Sequence, residues 1–333
     1  MLNFKKRFST FKKGANDNGQ GSGFPPNIVF KSGTSSINAT EVDNLFFGVL
    51  LGATSQIDRE LNDFEKTTLQ QLSSLVQKNQ QASKLIPRLP SILPKVIQAL
   101  REEDASADQI SGLIEQDHIL VGEVMRLVNS PYYRTRQEIT SLKQATVMLG
   151  REGLRQLVAS AIVRPLMIAN SGHFVKLSSQ LLWEHSEKTA IAIVKQCSEA
   201  EEQRFYAYLS GILQNIGFTV GFTVLDSIFD GTQAPNSKLF LQQFVALCRE
   251  LSAAIATSWI LPSQISDAFI AMAHPLDHPE VSSLETTLFI TDRMVKAQIL
   301  GSRINFDPSN ARILINGKPC ESCLKTLASI NLK

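Results

Sequence analysis

From residue 41 onward, apolar residues recur at steps of three and four, the spacing that lines one face of an α-helix. Leu45 to Leu51 is an apolar patch, and Leu61, Phe64, Thr68, Leu72 and Leu75 continue the rhythm. Pro87, Pro90 and Pro94 punctuate the next stretch, with Val96, Ile97 and Leu100 behind them. Ser106-x-x-Gln109 reads as a capping box opening a helix that turns Ile110, Leu113 and Ile114 inward. Val121, Val124, Met125 and Val128 predict another helix, stopped at Asn129-Ser130-Pro131. Ser141-x-x-Gln144 predicts a second capping box, with Gly150 ending that helix and Leu154 to Ile162 carrying the pattern on until Pro165.

A second helical block opens near Ser178. Leu182, His185, Thr189, Ala192 and Ile193 share one face; Phe205, Tyr208, Leu209, Ile212 and Ile216 share another. Helical pattern follows from Phe240 to Trp259, breaks at Pro262, and resumes through Met272. Val281, Leu284, Leu288, Asp292, Val295 and Ile299 mark a last long helix. Strand signals are few, and Ile313 to Gly317 predicts only a small hairpin arm. The expected fold is all-α, with two helical lobes meeting near residue 170.

Composition narrows the class. The chain has 333 residues, 43% hydrophobic and 19% charged, with a formal charge of +2. This is an ordinary globular balance, and nothing in it calls for nucleic acid as a partner. Four cysteines are too few for a disulfide framework and point to reduced thiols in the cytoplasm. The opening residues lack the charged, apolar and small-residue order of a signal peptide. Residues 1–13 carry Lys5, Lys6, Arg7, Lys12 and Lys13, with Phe4, Phe8 and Phe11 on one helical face. A weak contact with an anionic membrane surface is one reading of that segment, and a solvated tail is the plainer one. Residues 1–40 read as a basic, Gly/Pro-rich flexible tail and linker, and 41–84 as a helical N-terminal extension.

Two polar residues interrupt apolar stripes: His185 beside Leu182 and Ala192, and Asp292 beside Leu288 and Val295. A buried carboxylate is costly unless it is paired or bound to a metal. The two are therefore expected to lie within hydrogen-bonding reach of each other.

Residues 85–165 resemble the first half of the HDOD domain, an output domain related to HD-type metal-dependent phosphohydrolases. The resemblance rests on Leu89-Pro90-Ser91-Ile92-Leu93-Pro94, Ile114-Glu115-Gln116-Asp117, Arg126 to Tyr133, Ile139 to Ala145 and Leu149-Gly150. It continues in order through Leu182-Trp183-Glu184-His185-Ser186, Gly211 to Gly217, Trp259-Ile260-Leu261-Pro262 and Ile290-Thr291-Asp292. The implied domain spans residues 85–305, with a helical lobe over about 85–170 and an HD-like lobe over about 171–305, followed by a C-terminal arm and helix over 306–333. The resemblance implies a module of bacterial signal transduction. Active HD relatives hold a metal through a histidine, an adjacent His-Asp pair and a distant aspartate. His185 matches the first histidine and Asp292 the last aspartate, whereas Gln214 and Asn215 stand where the His-Asp pair would be. Cys248 stands where many relatives have a further histidine, and His274 follows it. Neutral amides are weak ligands for a divalent ion, so neither a metal nor another cofactor is expected. The bland role for Gln214 and Asn215 is hydrogen bonding between helices.

Other motifs point less far. Cys320-Glu321-Ser322-Cys323 lacks two further ligands nearby for a closed zinc site. His274 and His278 are spoiled as one helical face by Pro275 and Pro279. Asn129, Tyr132 and Tyr133 are read either as an interaction edge or as a helix stop with packed tyrosines. No Gly-rich phosphate loop is present. The reading that results is a non-catalytic output or regulatory module that binds a signalling protein or a ligand. The alternative is a residual metal-dependent phosphohydrolase, with His274 or His173 as rescue ligands, or a sensor of a nucleotide or cyclic dinucleotide.

Overall fold

The computed structural model describes residues 39–53, 56–77, 106–130, 138–168, 171–196, 201–274 and 283–303, with short pieces at 87, 98–99, 133, 314–315 and 318–319. Residues 1–13, Tyr132, His278, Cys320 and Cys323 lie outside them.

The described residues form α1 (Ala39–Leu50), α2 (Asp63–Gln77), α3 (Ala107–Ile114), α4 (His118–Val128), α5 (Leu142–Met167) and α6 (His173–Gln196). They continue with α7 (Glu201–Leu213), α8 (Ile216–Ile228), α9 (Lys238–Ser258), α10 (Ser263–Ala273) and α11 (Leu284–Arg303). A small antiparallel arm pairs β1 (Leu314–Ile315) with β2 (Lys318–Pro319), at the place where the sequence predicts a hairpin. The fold is all-α apart from this arm.

Local chemistry sets the helix ends. Ser106 and Gln109 form the full reciprocal capping box at the start of α3. Asp117 caps α4 by accepting from the N–H groups of Ile119 and Leu120. At α5 the expected box is only half made: Ser141 Oγ accepts from Gln144 N at 3.2 Å, but Gln144 Oε1 accepts from Thr140 N at 2.8 Å, one residue further back. Gly150 adopts φ 66° and breaks α5 sharply, as the sequence predicts. Pro165 does not stop it; the helix runs on to Met167. A proline in the last turn forfeits only the bond from its own nitrogen, and Ile168 N still closes onto Arg164 O at 3.0 Å.

One sequence expectation changes. The stripe from Phe205 to Ile216 is not one helix, because the chain turns at Gln214-Asn215 between α7 and α8. The first helix of the N-terminal extension, α1, packs into the bundle. Val42, Phe46 and Leu50 on α1 are completely buried and belong to the same hydrophobic cluster as Ile110 and Val124 of α3 and α4. Phe47 stacks on Phe218 of α8 with ring centroids 4.6 Å apart. Each such buried side chain contributes roughly 2 kcal/mol.

A second tie follows α1. Ile57 pairs in parallel with Ser237, and Lys238 N donates to Ile57 O at 3.1 Å. Glu65, fully buried, accepts both guanidinium arms of Arg59 at 2.9 and 3.0 Å and the N–H of Ser237 at 3.0 Å. Asn62 and Glu65 also form a reciprocal cap at the start of α2. α1 and α2 are thus fastened to the face made by α8, α9 and α11.

Candidate functional site

His185 sits mid-way along α6 and Asp292 mid-way along α11, each on the stripe that its helix buries. Both are essentially inaccessible. His185 Nε2 lies 3.2 Å from Asp292 Oδ1 and 3.2 Å from the Asp292 carbonyl oxygen. The pairing read from the stripes is therefore present. On the other side of the ring, Asn215 Nδ2 donates to His185 Nδ1 at 2.8 Å and to Ser186 Oγ at 2.9 Å. Nδ1 acts as acceptor, so the imidazole proton sits on Nε2 and is donated to Asp292. Burial pushes the His185 pKa below 6.5, with Asp292 only partly opposing it, and the ring is neutral at physiological pH.

Asn215 stands at the N-cap of α8 but makes no side-chain cap bond there. Its amide is turned to the histidine, and Ser252 of α9 takes over: Oγ accepts from Gly217 N at 2.9 Å and donates to Gln214 O at 2.8 Å. Gln214 behaves differently from expectation. It is 4% exposed, and neither its Oε1 nor its Nε2 has a hydrogen-bond partner among the described residues. Of the two amides, only Asn215 joins helices through its side chain.

Asp292 does not face the histidine alone. Lys296, one turn along α11, places Nζ 2.8 Å from Asp292 Oδ2 and 2.6 Å from Asp43 Oδ1 of α1. Asp43 Oδ2 in turn meets Arg293 Nη2 at 2.8 Å and Arg249 Nη2 at 3.1 Å. Arg249 also donates to the Met272 carbonyl at 2.8 Å, and Arg293 lies over the Phe289 ring, 3.5 Å from its centroid. Burial pushes Asp43 up, but Arg249, Arg293 and Lys296 together outweigh it and hold the carboxyl at about 2. Asp292 is likewise held well below the usual carboxylate range: burial raises it, and Lys296, His185 and Arg293 more than compensate.

Asp43, Arg249, Arg293 and Lys296 were not singled out by the sequence. The signal for Lys296 is its place four residues after Asp292, where a helix brings opposite charges together. Asp43 carries no local signal for its partners.

The donor set does not fit a divalent metal ion. One imidazole nitrogen of His185 is protonated and the lone pair of the other is engaged by Asn215. Both oxygens of Asp292 face hydrogen-bond donors, one of them a lysine ammonium. Among the described residues, no group of three or more His, Cys, Asp or Glu side chains converges. Cys248 is fully buried and faces α8: a Cβ placed on Gly221 would lie 2.5 Å from its Sγ, and burial pushes its thiol pKa well up, away from the thiolate that binds metals. His274 caps α10 and meets Glu250 Oε1 at 2.8 Å at the exposed surface. His173 begins α6 and stacks on Phe229, with centroids 5.3 Å apart. None of the three joins the cluster of His185 and Asp292.

Asn129 has a structural use. Its amide donates to Met125 O and Ile139 O at 3.0 and 2.8 Å and accepts from Ile139 N at 2.9 Å, tying Ile139 to the end of α4. With donors and acceptor satisfied internally, it offers little to a partner. Tyr133 is half-buried against the core.

Two stretches, 203–228 and α9, are apolar and long enough to cross a membrane by length and composition, but 89% and 61% of their most apolar 18-residue segments are buried inside the bundle. Their apolarity is satisfied by the core.

Fold and centre together define an all-helical bundle built around a buried ionic cluster. The model of the HDOD domain matches residues 86–275, more than half of the chain, and the chain belongs to that family. It is similar to a crystal structure of an HDOD domain protein of unknown function from Geobacter sulfurreducens, with TM-score 0.53 and 19% identity, covering 78% of this chain and 86% of that one. It is also similar to a candidate phosphohydrolase from Shewanella amazonensis, with TM-score 0.51 and 20% identity over 79% and 94% of the two chains. At these identities the likeness shows the fold. By sequence, 202 residues are 26% identical to an uncharacterized protein of Treponema pallidum; the match covers 58% of this chain but 38% of that longer relative.

Proposed function

We propose that this protein is a non-catalytic module of signal transduction that works by binding, either to a signalling protein or to a small ligand such as a nucleotide. The observation that carries this reading is the engagement of Asp292, whose carboxylate faces Lys296 at 2.8 Å and the protonated nitrogen of His185 at 3.2 Å. A phosphohydrolase of the HD type needs that carboxylate and that imidazole as ligands of a metal that activates water. Here the chain's own charges hold them, and the amides Gln214 and Asn215 supply no compensating anion. HDOD membership agrees with a signalling role. So does the likeness to a candidate signal transduction protein from Marinobacter aquaeolei, with TM-score 0.50 and 14% identity over 80% and 60% of the two chains. The same reading assigns the module to the cytoplasm, with the basic residues 1–13 as a weak contact for an anionic membrane surface.

Elemental mass spectrometry on the purified full chain, paired with phosphodiesterase assays in manganese, tests the proposal. The expected result is substoichiometric metal and no turnover. Stoichiometric metal with activity that disappears in Asp292→Ala would overturn it.

A further inference from the structure

The surroundings of the Lys296 ammonium have a chemistry of their own. Two carboxylate oxygens accept from it, Asp43 Oδ1 at 2.6 Å and Asp292 Oδ2 at 2.8 Å. On another side lie two aromatic rings of α1, with centroids 4.6 Å (Phe47) and 5.5 Å (Phe46) from Nζ. Lys296, Phe46 and Phe47 are at most 1% exposed. We infer that this is a cation cradle of the ammonium type, which the chain fills with a tethered ion of its own.

Three features set the class of ion. Carboxylate oxygens paired with ring faces suit a monovalent cation that carries N–H donors for the oxygens and a compact charge for the rings. A hard divalent ion such as calcium or magnesium takes six or more oxygens or retained waters, and a phenyl ring supplies neither. Arg249 and Arg293 already neutralise the far oxygen of Asp43, at 3.1 and 2.8 Å, so a second unit of positive charge at the cradle would be repelled. The fitting occupant is a primary alkylammonium. Truncating Lys296 to alanine removes the side chain beyond Cβ, which is the size and charge of propylammonium.

This inference does not depend on the signalling role, and its test reads stability rather than turnover. Full-length Lys296→Ala is melted in propylammonium chloride, in sodium chloride of equal ionic strength, in 1-propanol and in manganese chloride. The melting temperature is expected to fall on substitution and to recover largely in propylammonium alone. Wild type, and the double variant that adds Asp43→Asn, are expected to show no such recovery. Equal rescue by 1-propanol would reduce the site to a cavity, and rescue by manganese would make it a divalent site; either overturns the inference. So does a variant as stable as wild type, or one that no cation stabilises. If Lys296→Ala does not fold, refolding yield in the same four solutions is the readout, and failure of propylammonium to recover folded protein counts equally against the cradle.

Discussion

The side-chain amide of Asn215 donates to Nδ1 of His185 across 2.8 Å, and that single bond fixes the tautomer of the buried ring. Protonating His185 in the folded protein would set an N–H against an N–H. This geometry and the burial both favour the neutral form.

The folded pKa of His185 therefore lies below 6.5 while the unfolded chain titrates near 6.5. Below that pH the unfolded state binds more protons, so the contribution of His185 to stability is present at higher pH and declines as pH falls. Urea unfolding of wild type and His185→Gln should show a gap that narrows between about pH 7 and pH 5. A gap that does not change with pH would show that the ring titrates alike in both states.

Asp43 faces three cations, and removing it leaves them only Asp292, at 2.8 Å from Lys296, 3.5 Å from Arg293 and 3.8 Å from Arg249. Asp43→Asn should cost about 3–5 kcal/mol in denaturant unfolding, the scale of a broken buried ion pair. The wild-type contribution is present above the unfolded pKa near 3.8 and is lost as pH falls toward about 2, so the variant should show a shallower acid transition. A loss below about 1 kcal/mol would mean that α1 is held by its aromatic residues alone.

Gln214 buries an amide with neither polar atom partnered among the described residues. Replacing it by an apolar residue of similar shape removes that penalty, and Gln214→Met should be neutral or stabilising by about 1 kcal/mol. A loss of about 2 kcal/mol or more on chemical unfolding would reveal a polar contact at this amide.

Ile260 follows α9 at φ 57°, with Leu261 N bonded back to Ala256 O at 3.1 Å, the geometry of a helix end normally given to glycine. It is 84% exposed and so contributes little packing. Ile260→Gly should stabilise by about 1 kcal/mol and raise the melting temperature by a few degrees. An unchanged or lower melting temperature would count against strain at this position.

The helices were legible because their cores are amphipathic at short range: Val121 to Val128 and Leu182 to Ile193 show their faces in ten or so residues. His185 and Asp292 were legible for the converse reason, as polar residues on stripes with no room for water. The break at Gln214-Asn215 was not, since Phe205 to Ile216 keeps helical spacing across it. Its trace is Gly217, where a Cβ would come 2.0 Å from the Cys248 carbonyl oxygen, a close crossing of α8 and α9 that no local pattern encodes. The ionic cluster was hidden most deeply. Asp43 resembles any surface acid until α9 and α11 are folded against it. Its pairing with Arg249 and Lys296 is a property of tertiary structure alone.

The bond from Lys296 to Asp43 joins residues 253 positions apart. During synthesis at roughly 5–20 residues per second, α1 leaves the ribosome on the order of tens of seconds before its partner helix exists. For that interval Phe46, Phe47 and the Asp43 carboxylate lack the Lys296 ammonium that the finished protein sets among them. The nascent protein must keep α1 out of premature contacts until α11 emerges.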